Sequence, residues 1–276
     1  MSAYLERLRD EYGKKGSMLC FGMDPVLEKM NIDGSRNLTD EIVGFFWGIL
    51  SEIKQKVTAV KPNVAFYYQY GIDGIRALVE LAAKARTLGI PVIIDAKNAD
   101  IGKTSAAYAK YVFDVLGGDA VTLNPYMGYD SLEPFFAYTD RGFYVLALTS
   151  NAGAKDFQMA SMDTGRFLYE HTLEKVCGWS NTHGSVGAVL GATQDRFRDC
   201  VERLTDRGCG IPLLVPGVGA QGASYVETAG ILERFGYEKA VVRINASSSI
   251  SYACQVMPSL SAAEAAARAV EELFES

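Results

Sequence analysis

Eight short β-rich runs recur along the chain with helix-patterned segments between them, and this alternation constrains the fold more than any other feature. The runs are SMLCFGM (17–23), VTAVKPN (57–63), IPVIIDA (90–96), DAVTLNP (119–125), GFYVLALT (142–149), SVGAVLGAT (185–193), IPLLVPG (211–217) and KAVVRINA (239–246). Strands separated by helices pair in parallel, because the crossover helix carries the chain back to the same edge of the sheet. Eight such units in about 250 residues fit a single α/β domain, a TIM (β/α)8 barrel over residues 1–276, better than an open doubly wound sheet, the alternative that pattern alone leaves open. Among the helical intervals, LTDEIVGFFWGILSEIKQ keeps its apolar residues largely on one face. SAAEAAARAVEELFES opens with a capping box, Ser261 and Glu264.

A chain of 276 residues, 49% hydrophobic, is large enough to bury a full core. Its net charge of -6 and the lack of a dense basic run argue against nucleic acid or an anionic membrane as its main partner. The opening MSAYLERLRDEYGKKGS mixes acids with bases and has no apolar block. No secretory signal or membrane span is therefore expected, and the cytoplasm is the expected compartment. The five cysteines, Cys20, Cys177, Cys200, Cys209 and Cys254, are scattered and form no C-x-x-C. They are expected to be mostly small buried apolar side chains, not a disulfide framework or a zinc cluster. With only His171 and His183 present, a histidine-rich metal site is not expected, and chemistry falls to Asp, Lys, Ser and Thr.

Polar residues gather where the runs end, which in a barrel is the catalytic rim. The richest stretch is DAKNADIGKT, residues 95–104. Alternation along a strand sends Ile93, Asp95 and Lys97 toward one face, the barrel mouth, and leaves Asp100 on the following loop. Lys61 ends the second run, so neighbouring strands would assemble Lys61, Asp95, Lys97 and Asp100 with alternating sign. Such acids keep both lysines protonated against the effect of burial, which suits a reaction that creates a carbanion and then protonates it. Buried charges also pair for purely structural reasons; their position at the rim favours function here. Two other signatures fail. GVGAQG (217–222) follows the seventh run, whereas a dinucleotide fingerprint belongs to an early βαβ unit, so it reads as a phosphate or substrate loop or an ordinary turn. Gly102-Lys103-Thr104 ends like a P-loop, but Lys97 stands where that motif needs its leading glycine.

The segment DAKNADI resembles the D-x-K-x-x-D-I signature of orotidine 5′-phosphate decarboxylases, and LCFGMDP, VKPNVAFYYQYG, LNPYMGYDSLEPF, LTSNAGAKDFQ, VLGATQ and VPGVGAQG resemble other segments of that family in the same order. The likeness spans nearly the whole chain and is greatest to the longer bacterial subgroup. It implies cofactor-independent conversion of orotidine 5′-phosphate to uridine 5′-phosphate (UMP) in de novo pyrimidine biosynthesis, with neither metal nor organic cofactor. By the same resemblance, Asp24 binds the ribose, Lys61 links ribose and charge array, Asp95 faces the substrate carboxylate and Lys97 delivers a proton to C6. Asp100, Ile101 and Thr104 match positions that reach into a neighbouring subunit's site, which implies a homodimer with shared active sites. Ser150 matches a residue on the pyrimidine edge, with Asn151 beside it, and Gln221 matches a phosphate contact.

One position departs from the pattern. Where the family usually has N-x-S-R-G-I, this chain reads Asn245-Ala246-Ser247-Ser248-Ser249-Ile250, with serine in place of a phosphate-gripping arginine. Either Ser247, Ser248 and their neighbours hold the phosphate with Gln221 and another cation such as Arg243, which lies two to four residues too deep and reads better as a structural residue, or the site is weakened by the change. The latter keeps open a catalytically weakened or silent nucleotide-binding barrel. A second rival, a magnesium-dependent sugar-phosphate decarboxylase or aldolase of the same superfamily, needs an acid at the end of the second run, where this chain has Lys61.

Overall fold

Each β-rich run becomes a strand in the computed structural model, which describes residues 2–32, 37–193, 195–219 and 222–275. The strands are β1 (Leu19–Gly22), β2 (Val57–Lys61), β3 (Ile93–Asn98), β4 (Ala120–Leu123), β5 (Gly142–Leu148), β6 (Val186–Leu190), β7 (Leu213–Val215) and β8 (Val242–Ala246). All ladders are parallel, in the order β2-β1-β8-β7-β6-β5-β4-β3. The ring closes between β2 and β3 through isolated parallel bridges, Val60 to Val92 and Asn63 to Asp95. The architecture is a (β/α)8 barrel.

Strands covered on both faces read as continuous apolar runs, and every residue of β1, β2, β4, β6, β7 and β8 is buried. β3 differs: its last three residues, Ala96, Lys97 and Asn98, emerge from the core. Around the barrel, helix Leu38–Ile53 buries Ile42, Phe46, Ile49, Leu50 and Ile53, and packs against helix Ala262–Glu275 through Ala265, Ala266, Val270 and Leu273. The latter opens with the expected reciprocal cap, Glu264 N–H to Ser261 Oγ at 3.3 Å and Ser261 N–H to Glu264 Oε2 at 2.9 Å. No described helix is long and apolar enough to cross a membrane.

One expectation is corrected by the fold. Cys177 and Cys209, 32 positions apart, form a disulfide. Cys177 lies on helix Leu168–His183, and Cys209 follows helix Phe197–Asp206; only tertiary packing brings them together, so spacing gave no sign of the pair. Cys20 and Cys200 are buried thiols, pushed up to about 12 by burial and thus unreactive.

Of the two readings of Arg243, the structural one holds. It is fully buried in the amino-terminal half of β8 and donates to the carbonyls of Leu8 (2.7 Å), Val242 (2.8 Å), Ala240 (3.0 Å) and Thr58 (3.3 Å). Burial pulls the guanidinium below its ordinary pKa. Arg243 ties the first helix, Ala3–Lys15, to the barrel floor and does not line the cavity at the other end. It is structural.

Candidate active site

The carboxyl ends of the strands surround a cavity of about 620 Å³, a size typical of small-molecule sites. Asp24, Lys61, Asp95, Lys97, Ser150, Asn151, Ser247 and Ser248 all line it. Asp95 is the hub. Its Oδ2 accepts from Lys61 Nζ at 2.8 Å, and its Oδ1 accepts from Lys97 Nζ at 2.6 Å and from the Thr122 hydroxyl at 2.8 Å. Asp95 and Lys61 are 7% and 5% exposed, whereas the Lys97 side chain is 46% exposed and turns its ammonium toward the cavity.

The charges set one another's ionisation. Burial raises the pKa of a carboxylate, but the Lys61 and Lys97 charges and their hydrogen bonds outweigh it and hold Asp95 well below the usual carboxylate range. Burial likewise opposes the charge on Lys61, yet Asp95 and Asp24 leave this ammonium above the ordinary lysine value. Both members of the pair are therefore ionised across the neutral range.

Simple alternation does not deliver Lys97 to this place. β3 and β4 pair at Ile94 with Val121 and again at Asn98 with Leu123, so Asp95, Ala96 and Lys97 bulge opposite Thr122 alone. Lys97 adopts φ of 50°, the left-handed region that costs a non-glycine residue about 1–3 kcal/mol. Strain of this kind persists only where surrounding contacts enforce it, and the Lys97 N–H to Thr122 Oγ1 bond at 3.0 Å is one of them.

Asp24 is fixed from two sides, by the Asn63 N–H at 3.0 Å and by the Ser247 hydroxyl at 2.7 Å. Gly22 makes the second contact possible, because a Cβ there would fall 2.5 Å from Ser247 Cβ. The Ser247 hydroxyl is directed at Asp24 and, at 3.3 Å, at the Gly22 carbonyl. Ser248 faces the cavity. The buried Ser249 Oγ has no hydrogen-bond partner among the described residues and packs where a side chain on Gly219 would collide, 2.6 Å from that glycine's ideal Cβ.

Three expected residues stay apart from their own chain's cavity. Asp100, Ile101 and Thr104 do not line it; Asp100 Oδ1 accepts from the Ile101 N–H at 2.8 Å, and the Ile101 side chain is 54% exposed. Gln221 lies outside the described residues.

Sequence reasoning passed over Thr122, Gln158, Tyr252 and Lys29. Thr122 is the one hydroxyl within the apolar strand β4, a signal that was available. Gln158 holds the loop after β5 by accepting from Thr149 N–H at 2.7 Å. Tyr252 accepts from the Val26 N–H at 2.9 Å and donates to the Asp24 carbonyl at 2.5 Å. Lys29 lines the cavity and lies 5.4 Å from the Tyr252 ring centroid.

Comparison with known proteins now bears on this geometry. A model described as the "Orotidine 5'-phosphate decarboxylase / HUMPS family" matches residues 17–250. The chain belongs to this family. The match runs from the first strand region past Ser248, so it contains every strand and the charge array. A protein of Thermomicrobium roseum named orotidine 5′-phosphate decarboxylase is 40% identical over 99% of this chain and 95% of its own length. Among solved structures, Leishmania donovani orotidine 5′-monophosphate (OMP) decarboxylase has 31% identity and a TM-score of 0.75, covering 99% of this chain and 97% of that one. The UMP synthase of the same organism has 32% identity and a TM-score of 0.80, with 99% of this chain covering 56% of that longer protein.

Proposed function

We propose that this protein decarboxylates orotidine 5′-phosphate to UMP, the UMP-forming step of pyrimidine biosynthesis, in the cytoplasm and without a cofactor. The observation that carries the reading is Asp95, buried between two ammonium groups with that of Lys97 at the cavity surface. In the reaction the bond from C6 to the carboxylate breaks and carbon dioxide leaves, while the electron pair stays on C6. Lys97 stabilises that developing charge as a prearranged cation, a type of contact worth about 3–4 kcal/mol, and then gives C6 a proton. Solvent reprotonates the amine. Asp95 keeps Lys97 oriented and adds repulsion toward the substrate carboxylate; Lys61 keeps Asp95 ionised and, with Asp24, addresses the ribose.

The phosphate falls to the loops after β7 and β8, with Ser248, Gln221 and backbone amides. Lys29 at the rim is the cation that compensates for the missing arginine. Ser150 and Asn151 meet the pyrimidine. Asp100, Ile101 and Thr104 complete the site of a second copy in a homodimer, supported by their absence from their own cavity and by exposed Ile101, Tyr126 and Met127 on the loops after β3 and β4.

Ser248 favours a second reading, a weakened or silent nucleotide-binding barrel. Loss of orotidine monophosphate absorbance, followed with wild type, Lys97→Ala and Ser248→Arg, separates the two. Wild-type turnover that Lys97→Ala abolishes and chelator leaves intact is the expected result, with Ser248→Arg lowering KM. No wild-type turnover would establish the silent barrel; strict magnesium dependence would point to the metal-using branch of the superfamily.

A further inference from the structure

Thr122 sits at the centre of the bulge that makes the site. Three residues of β3 stand against it, and its side chain touches the two that carry charge. A threonine hydroxyl has one proton. Here that proton goes to Asp95 Oδ1 at 2.8 Å, while the oxygen accepts from the main-chain N–H of Lys97 at 3.0 Å. Lys97 Nζ returns to the same Oδ1 at 2.6 Å, closing a ring of contacts through the lysine's own side chain. Thr122 is 1% exposed, so solvent does not stand in for it.

We infer that Thr122 is a positioning residue for proton delivery, holding Lys97 in its left-handed conformation and fixing which oxygen of Asp95 each lysine receives. The inference rests on the proposed role of Lys97 as proton donor. Oδ2 belongs to Lys61, and Oδ1 is shared by Lys97 and Thr122. Without the hydroxyl, the carboxylate turns about its Cβ–Cγ bond and the Lys97 backbone loses its polar partner. The ammonium then wanders from the line of attack on C6. Substrate still binds, because Thr122 acts through Asp95 and Lys97 and not through ribose or phosphate contacts. The cost falls on the chemical step.

Thr122→Val keeps the shape and removes the hydroxyl; Thr122→Ser keeps the hydroxyl. In the full-length protein, Thr122→Val is expected to lower kcat by about 10- to 100-fold, the scale of a misplacement near 1 Å, with KM essentially unchanged. Thr122→Ser restores most of the loss. Hydrogen exchange at the Lys97 amide, read by NMR, is expected to accelerate in Thr122→Val and stay near wild type in Thr122→Ser. A wild-type kcat in Thr122→Val, or equal losses in both variants, would overturn the inference, as would unchanged exchange at Lys97. If Thr122→Val does not fold, Thr122→Ala carries the same expectations. A wild type without turnover would defeat the functional reading, and the exchange measurement would still decide whether the hydroxyl holds Lys97.

Discussion

Asp95→Asn strands a lysine. In the wild-type site Lys61 has Asp95 as its direct ionic partner at 2.8 Å, and both are almost completely buried. At an effective dielectric constant of about 20, such a pair attracts by about 6 kcal/mol, most of it offset by the cost of removing two charges from water. Removing only the acid leaves the desolvation of Lys61 uncompensated, so Asp95→Asn is expected to destabilise by about 3–5 kcal/mol. At about 2–4 °C per kcal/mol this lowers Tm by about 10 °C. The reverse change is milder. Lys61→Met leaves Asp95 with Lys97 and Thr122, so its expected cost is about 1–2 kcal/mol, and the double variant should resemble it and not Asp95→Asn.

The pH dependence distinguishes the variants further. In the wild type the Lys61 pKa is raised, so its stabilisation is complete below the ordinary lysine pKa of about 10.4 and is lost as pH rises through the folded value. Asp95 is depressed, so its contribution is present above about pH 4 and is lost as pH falls toward its folded value. A plateau between these limits follows for this pair. In Asp95→Asn the burial of Lys61 is opposed by Asp24 but no longer by Asp95, which lowers its pKa, and stability should climb between pH 7 and 10. Urea melts across that range test the sign. If Asp95→Asn is no less stable than Lys61→Met, or if its alkaline slope matches wild type, the hub argument fails.

Lys29→Ala is expected to raise KM several-fold with kcat little changed, since removing a binding contact made equally in ground and transition states acts on KM; steady-state kinetics will show it. Arg243→Met leaves four backbone carbonyls without their donor and should cost about 3 kcal/mol by denaturant melt, with residual activity in the folded fraction unaffected. Reduction of Cys177–Cys209, 32 positions apart, releases that loop and should lower stability by about 3–4 kcal/mol in a melt with dithiothreitol.

The strands were readable because burial on both faces forces an apolar run that short windows reveal: seven fall within their expected segments, and β3 runs past its own by Lys97 and Asn98. Asp95 and Lys97 stood out for the opposite reason, as charges on such a run. What the sequence hid was nonlocal. The Cys177–Cys209 pair, the burial of Arg243 under the first helix and the Ser247 contact with Asp24 depend on elements brought together only by the closed barrel. Lys97 shows a subtler limit: alternation placed it on the correct face, but it gets there through a bulge and a left-handed backbone, which periodicity does not encode.

The closure between β2 and β3 has a consequence for how this molecule opens. Its seven other junctions are laddered, but here isolated bridges are joined by the ion pair of Lys61 on β2 and Asp95 on β3. The charges of the proposed catalytic array are thus also the clasp on the barrel's thinnest seam. A ligand that grips both residues tightens the hoop, and a substitution that disarms the chemistry loosens it at the same point. Native-state hydrogen exchange should therefore breach the ring first along this seam, and ligand protection should appear there even where no atom of the ligand touches the backbone.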